Sequence, residues 1–172
     1  MNSLKRLYNW TLDKANHKNA KWYLSLISFA ESSFFPIPPD LLLIPMALAS
    51  KTKAIFYAFI CTFSSVLGGI LGYAIGYFFY NTLGIYIVEF YHLENSFSVF
   101  EDYYKEFGIL IVLGAGITPF PYKFITIASG VFGLNIFLFI IISIVGRGLR
   151  FYLIAILLYF FGEKIKLIID KY

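Results

Sequence analysis

The sequence predicts an all-α polytopic membrane protein built as an inverted repeat, each half a re-entrant helical hairpin followed by a transmembrane helix. Three observations carry this expectation. Of the 172 residues, 59% are hydrophobic and 14% charged, whereas a soluble domain is charged at about a quarter of its positions. Two apolar stretches free of proline, 53–80 and 134–161, are long enough, at about 1.5 Å per helical residue, to cross roughly 30 Å of hydrocarbon. Two further apolar segments, 22–50 and 108–133, are broken by prolines, and each precedes one of the long stretches.

Residues 1–20 set Leu4, Leu7, Tyr8 and Leu12 among Lys5, Arg6, Lys14 and Lys18. That pattern predicts an amphipathic helix lying on a membrane surface. No cleavable signal peptide is expected in so polar a start. The segment 22–50 carries Glu31-Ser-Ser-Phe-Phe-Pro36-Ile-Pro38-Pro39-Asp40. Its prolines end a helix, because each removes a backbone donor and clashes with the preceding turn. The halves are then roughly 15–21 Å long, too short to cross. A hairpin that enters and leaves by one face is expected, its break surrounded by protein or water. In 53–80, Gly68, Gly72 and Gly76 fall four apart beside Ser64, Ser65 and Gly69, a spacing that lets helices approach closely. Residues 81–107 hold Glu89, Glu94, Glu101, Asp102 and Glu106 against Lys105, five minus one giving −4. They read as a solvated, amphipathic polar segment. The second hairpin, 108–133, breaks at Thr118-Pro119-Phe120-Pro121-Tyr122-Lys123, and a basic tail, 163–172, follows the last span.

Lysine and arginine cluster near both termini and at Lys51 and Lys53. The positive-inside rule puts those parts in the cytoplasm, with 81–107 outside a plasma membrane. Lys51 shares a side with the N-terminus only if 22–50 does not cross. An offset of 83 residues lays Pro36 on Pro119, Pro38 on Pro121 and Asp40 on Lys123. Transporters built from such inverted repeats place their substrate site where the broken helices meet.

Glu31, Asp40, Lys123, Arg147 and Arg150 lie in or beside these apolar segments, where each charge costs at least ~2.5–3.5 kcal/mol at the bilayer centre. Arg147 and Arg150 share a helix face. Three cations minus two carboxylates leaves +1. The surplus points to an anion, and arginine suits phosphate. Lys123 opens a helix, against the helix dipole, and a bound phosphate would reverse that penalty. Lys123, Arg147, Arg150 and Thr118 are therefore the expected headgroup-binding residues. Glu31 and Asp40 are the expected proton-coupling residues or members of a charge network. Pro36, Pro38, Pro39, Pro119 and Pro121 form the hairpin breaks. An internal salt-bridge network is the competing reading of the charges.

Other chemistry finds little support. Cys61 is the single cysteine, and His17 and His92 have no ligand-like spacing, so no metal or cofactor is expected. The +4 net charge flanks apolar spans, as orientation requires, and does not form a nucleic-acid surface. No nucleophile–base pair accompanies the breaks, so the chain is not expected to be an enzyme.

The motifs Glu31-Ser-Ser-Phe-Phe-Pro-Ile-Pro-Pro-Asp40, Thr118-Pro-Phe-Pro-Tyr-Lys123 and Gly146-Arg-Gly-Leu-Arg-Phe151 resemble the DedA family, in its YqaA-like branch, over residues 20–162. That family shares the VTT domain with eukaryotic lipid scramblases. The resemblance implies two opposed re-entrant hairpins. It also implies flipping of polyprenyl (undecaprenyl) phosphate carriers, phospholipid scrambling, or proton-dependent membrane homeostasis. By position, Glu31 and Asp40 correspond to the family's embedded acidic pair and Lys123 to an arginine of the second hairpin. An earlier arginine of that motif is absent here, Ile117 lying near its place, and Arg147 and Arg150 are candidates to supply the charge. The expected function is a lipid flippase or scramblase acting on an anionic headgroup, with membrane lipids as partners and proton or cation coupling. The alternatives are a non-transporting membrane scaffold or a lipid-phosphate enzyme.

Overall fold

Proline divides the first quarter of the chain. In the computed structural model, which describes residues 19–34, 37–92 and 94–171, helix α1 (Ala20–Ser33) stops at Phe34, and α2 (Asp40–Ala49) starts on Pro39, whose carbonyl accepts from the Leu43 amide at 2.9 Å. Pro36 and the expected surface helix, up to residue 18, lie outside the described residues. A 3-10 turn, Lys51–Lys53, leads into α3 (Ala54–Phe79), which continues through a wide π turn, Tyr80–Gly84, into α4 (Ile85–Phe90). Then come α5 (Glu94–Ile117), α6 (Tyr122–Val131) and α7 (Ile136–Lys171). No strand occurs among the described residues.

Three expected boundaries are not helix ends. The helix does not stop at residue 80, because Asn81 and Thr82 donate back to the Tyr77 and Phe78 carbonyls and hold the wide turn together. No break separates 107 from 108: α5 runs from Glu94 straight into the second hairpin. Half of the segment read as polar and interfacial is thus that hairpin's first leg. Gly108 is accommodated there beside Tyr104 and Leu134. The last helix passes through Gly162 to Lys171, so 163–171 is helical backbone and not a separate tail. A glycine lowers helix propensity by about 1 kcal/mol but does not end a helix unless the chain turns left-handed there. That turn occurs at Gly133 (φ 63), between α6 and α7.

The packing has a direction. Along α1, Ser28 donates to the Cys61 carbonyl and Ser33 to that of Gly68, so α1 runs parallel to α3. Tyr122 and Thr126 lie by Gly69, and Gly130 by Tyr73 and Tyr77, so α6 also runs parallel to α3. Arg147 meets Ser65 and Phe139 meets Tyr73, so α7 is antiparallel to α3. Gly116 lies by Gly146 and the Thr118 carbonyl by Arg150, while Asp40 meets Arg150 and Leu48 lies by Gly162. Helices α5 and α2 are therefore parallel to α7. Each long helix carries the first leg of its own hairpin and the second leg of the other.

Both breaks sit halfway along α3 and α7, at Gly68–Gly69 and Gly146–Arg150. The glycine stripe serves two neighbours. A Cβ on Gly68 would collide with the Phe29 carbonyl of α1, and one on Gly76 with the Ile127 carbonyl of α6.

One apolar core (Leu24, Leu43, Met46, Cys61, Phe151) lies on one side of the breaks and a second (Val112, Tyr122, Phe139) on the other. Two helices, Lys51–Phe90 and Ile136–Gly162, are long and apolar enough to cross a membrane. Only 28% of the most apolar window of the second is buried, unlike the core helix of a soluble domain. Phe59, Phe63, Leu67, Leu71 and Ile75 form a bare apolar stripe on α3. Uncovered apolar surface of this extent marks contact with a membrane or another apolar partner.

Candidate functional site

The long helix α7 supplies two arginines one turn apart, and each reaches a different leg of the first hairpin. Arg147 is 1% exposed. Its Nη2 donates to Glu31 Oε2 at 2.5 Å and its Nε to Ser65 Oγ at 2.6 Å. The guanidinium carbon lies 4.8 Å from the ring centroids of Tyr122 and of Phe151, so two aromatic rings replace part of the hydration that burial removes. Ser32 donates to Glu31 Oε2 at 3.2 Å and lies 2.6 Å from Ser65 Oγ. With its own proton on Glu31, Ser32 accepts from Ser65. The donors close a ring that runs from Arg147 through Ser65 and Ser32 to Glu31 and back.

Arg150 is less enclosed. Nη2 pairs with Asp40 Oδ2, and Nη1 donates to the Thr118 carbonyl. One guanidinium thus ties the start of α2 to the end of α5, across both breaks. The Asp40 Oδ1 atom is buried with no hydrogen-bond partner. Thr118 takes part through its backbone, its hydroxyl donating to its own helix at Gly114.

Lys123, on the first turn of α6, is the remaining cation of the set. Its ammonium lies 5.2 Å from the Phe124 ring, and it makes no ion pair among the described residues. It faces a cavity of about 350 Å³ bounded by both breaks, with Pro38 and Pro39 on one side and Pro119, Phe120 and Pro121 on the other. Glu31, Arg147 and Arg150 also line this space.

The structure therefore brings together Glu31, Asp40, Thr118, Lys123, Arg147, Arg150 and the described prolines of the breaks. The sequence reading missed the roles of Ser32, Ser65 and Tyr122. Ser64 and Ser65 read as small packing residues, although Ser64 pairs with Ser25 at 2.7 Å as Ser65 does with Ser32. The available signal was a hydroxyl beside a buried charge on a facing apolar helix. The acidic segment stays apart from the cavity. Glu89, Glu94 and Asp102 are exposed, and Lys105 pairs with Glu101 at 2.7 Å, a contact that raises the ammonium's pKa above its ordinary value. Cys61 is buried in the apolar core, and His92 is exposed in the turn after α4.

No family model matches the chain, and no solved structure matches it. An uncharacterised protein of Haemophilus influenzae is 40% identical over 159 residues, covering 92% of this chain and 82% of that protein. A second uncharacterised protein, from Histophilus somni, is 37% identical over 161 residues with the same coverage of each chain.

Proposed function

The chain belongs to the same family as these Haemophilus influenzae and Histophilus somni proteins, and we propose that it carries an anionic lipid headgroup across a membrane. In this reading α3 and α7 span the bilayer and the two helix pairs are re-entrant hairpins of an inverted repeat. Both termini are cytoplasmic. The observation that carries it is Lys123, a cation with no carboxylate partner among the described residues, in a cavity where the two breaks meet. The arginines of α7 are each balanced by Glu31 or Asp40.

The repeat strengthens the point. Asp40 and Lys123 are equivalent under the 83-residue offset. Asp40 opens α2 beside a cation on α7. Lys123 opens α6 beside α3, a helix whose sequence from Ala54 to Phe79 holds no acidic residue. A phosphate on Lys123 would complete the second pair and reach the free amides at the start of α6. If α3 and α7 span the bilayer, breaks halfway along them would lie near its midplane, where transporters of inverted-repeat design bind substrate. The resemblance to the DedA family supports a lipid as cargo, and Glu31, whose hydrogen bonds among the described residues both fall on Oε2, is the group proposed to couple a proton.

The test is reconstitution into liposomes with a tail-labelled anionic phospholipid whose accessibility at the outer leaflet is followed in time. Loss of a hydrogen bond to a charged group, about 1.5–3 kcal/mol, predicts that Lys123→Gln slows headgroup movement about tenfold or more, with Lys123→Arg retaining much of the rate. Equal rates for Lys123→Gln and the parent protein, or no movement above protein-free liposomes, would refute the reading. A second reading, a non-transporting scaffold, draws on the two ion pairs, which lock α7 to both legs of the first hairpin. It requires Lys123→Gln to leave every function of the protein unchanged.

A further inference from the structure

Given the transport reading on which this rests, we infer that the cavity accepts a headgroup carrying one negative charge, a phosphodiester or a singly protonated phosphomonoester, and excludes the doubly charged phosphomonoester. Among the described residues, the charged groups lining the cavity are Glu31 from α1, Lys123 from α6 and the two arginines of α7, and Asp40 of α2 is paired with the second of these. Helix α3 contributes hydroxyls and the buried Cys61 thiol, and α5 contributes the Thr118 carbonyl. Arg147 is neutralised by Glu31 and Arg150 by Asp40, which leaves a single positive charge at Lys123. A monoanion brings the enclosed total to zero. A dianion leaves one uncompensated negative charge in an apolar layer between two hydrophobic cores, in a space that the carboxylate of Glu31 also lines.

A phosphomonoester loses its second proton at about pH 6, whereas a phosphodiester does not titrate near neutrality. The transportable form of a monoester lipid is therefore its protonated form, and the headgroup itself brings the proton. Above its pKa that form falls about tenfold per pH unit, roughly 50-fold between about pH 6 and about pH 8.

The experiment compares phosphatidylglycerol and phosphatidic acid with the same labelled acyl chains, in phosphatidylcholine liposomes holding the full-length protein, from about pH 6 to about pH 8. Rates in protein-free liposomes are subtracted. The expected result is a phosphatidic acid to phosphatidylglycerol ratio that falls at least tenfold over the range. A ratio that stays constant or rises, with both lipids moving, overturns this inference and leaves the transport reading standing. If neither lipid moves faster than in protein-free liposomes, the transport reading falls and the inference falls with it.

Discussion

Replacing Arg147 by glutamine removes the guanidinium from Glu31, which is 8% exposed and keeps only the Ser32 hydroxyl on Oε2. Breaking a buried pair by deleting one partner costs about 3–5 kcal/mol, because the other charge stays buried. The lost contacts with Tyr122 and Phe151, both at 4.8 Å, add about 0.5–2 kcal/mol each. The reverse change, Glu31→Gln, is milder. The amide oxygen still accepts from Arg147 and Ser32, and the cation keeps Ser65 and both rings, so the expected cost is about 2–3 kcal/mol. In the double variant neither charge is left alone. Its destabilisation should fall short of the summed singles by about 2 kcal/mol or more. The assay is equilibrium unfolding in mixed micelles of rising dodecyl sulfate fraction, followed by circular dichroism. Additivity to within about 0.5 kcal/mol, or a larger loss for Glu31→Gln than for Arg147→Gln, would refute the closed ring of donors derived above.

The close approach of α6 to α3 predicts that Gly130→Ala destabilises the fold by about 1–3 kcal/mol, since the new Cβ would meet the Tyr73 carbonyl and the Tyr77 amide. Unchanged unfolding in the same micelles would contradict that packing. Asn135 Oδ1 accepts from the Phe137 and Leu138 amides at 3.0 and 3.2 Å and so caps α7. Asn135→Ala should cost about 0.5–2 kcal/mol, with Asn135→Asp close to the parent in thermal melting.

How far the sequence revealed the site depended on the kind of signal. Prolines at 38, 39, 119 and 121 are local and fix φ wherever they stand, so the breaks and the two-helix character of each hairpin were legible. The charged set was legible because a charge in an apolar run is costly enough to need a reason. Which cation meets which carboxylate was not, since the pairs join residues 110 and 116 apart and depend on how α7 is rotated against the first hairpin. The change from acidic to apolar composition at 107/108 and the glycine at 162 misled in the opposite sense. Glycine is as useful inside a helix where a neighbour crowds as it is at an end, and the two uses look alike until the neighbour is known.

The surplus cation makes a last prediction that separates folding from function. Lys123 has a ring beside it and no carboxylate among the described residues, and as a cation at the start of α6 it opposes the helix dipole, a term of about 0.3–1 kcal/mol. Neutralising it removes no ion pair and relieves that term. Lys123→Gln should therefore unfold at the same dodecyl sulfate fraction as the parent or a slightly higher one, while losing headgroup movement. Arg150→Gln should behave oppositely in stability, because it leaves Asp40 with neither oxygen partnered by a cation and releases the Thr118 carbonyl. A residue kept for the fold should not be dispensable to it, and binding sites often hold groups that the folded state alone would not select. Should Lys123→Gln prove as destabilising as Arg150→Gln, Lys123 would belong to the same structural network as the arginines, and the charge tally that assigns it to a ligand would lose its basis.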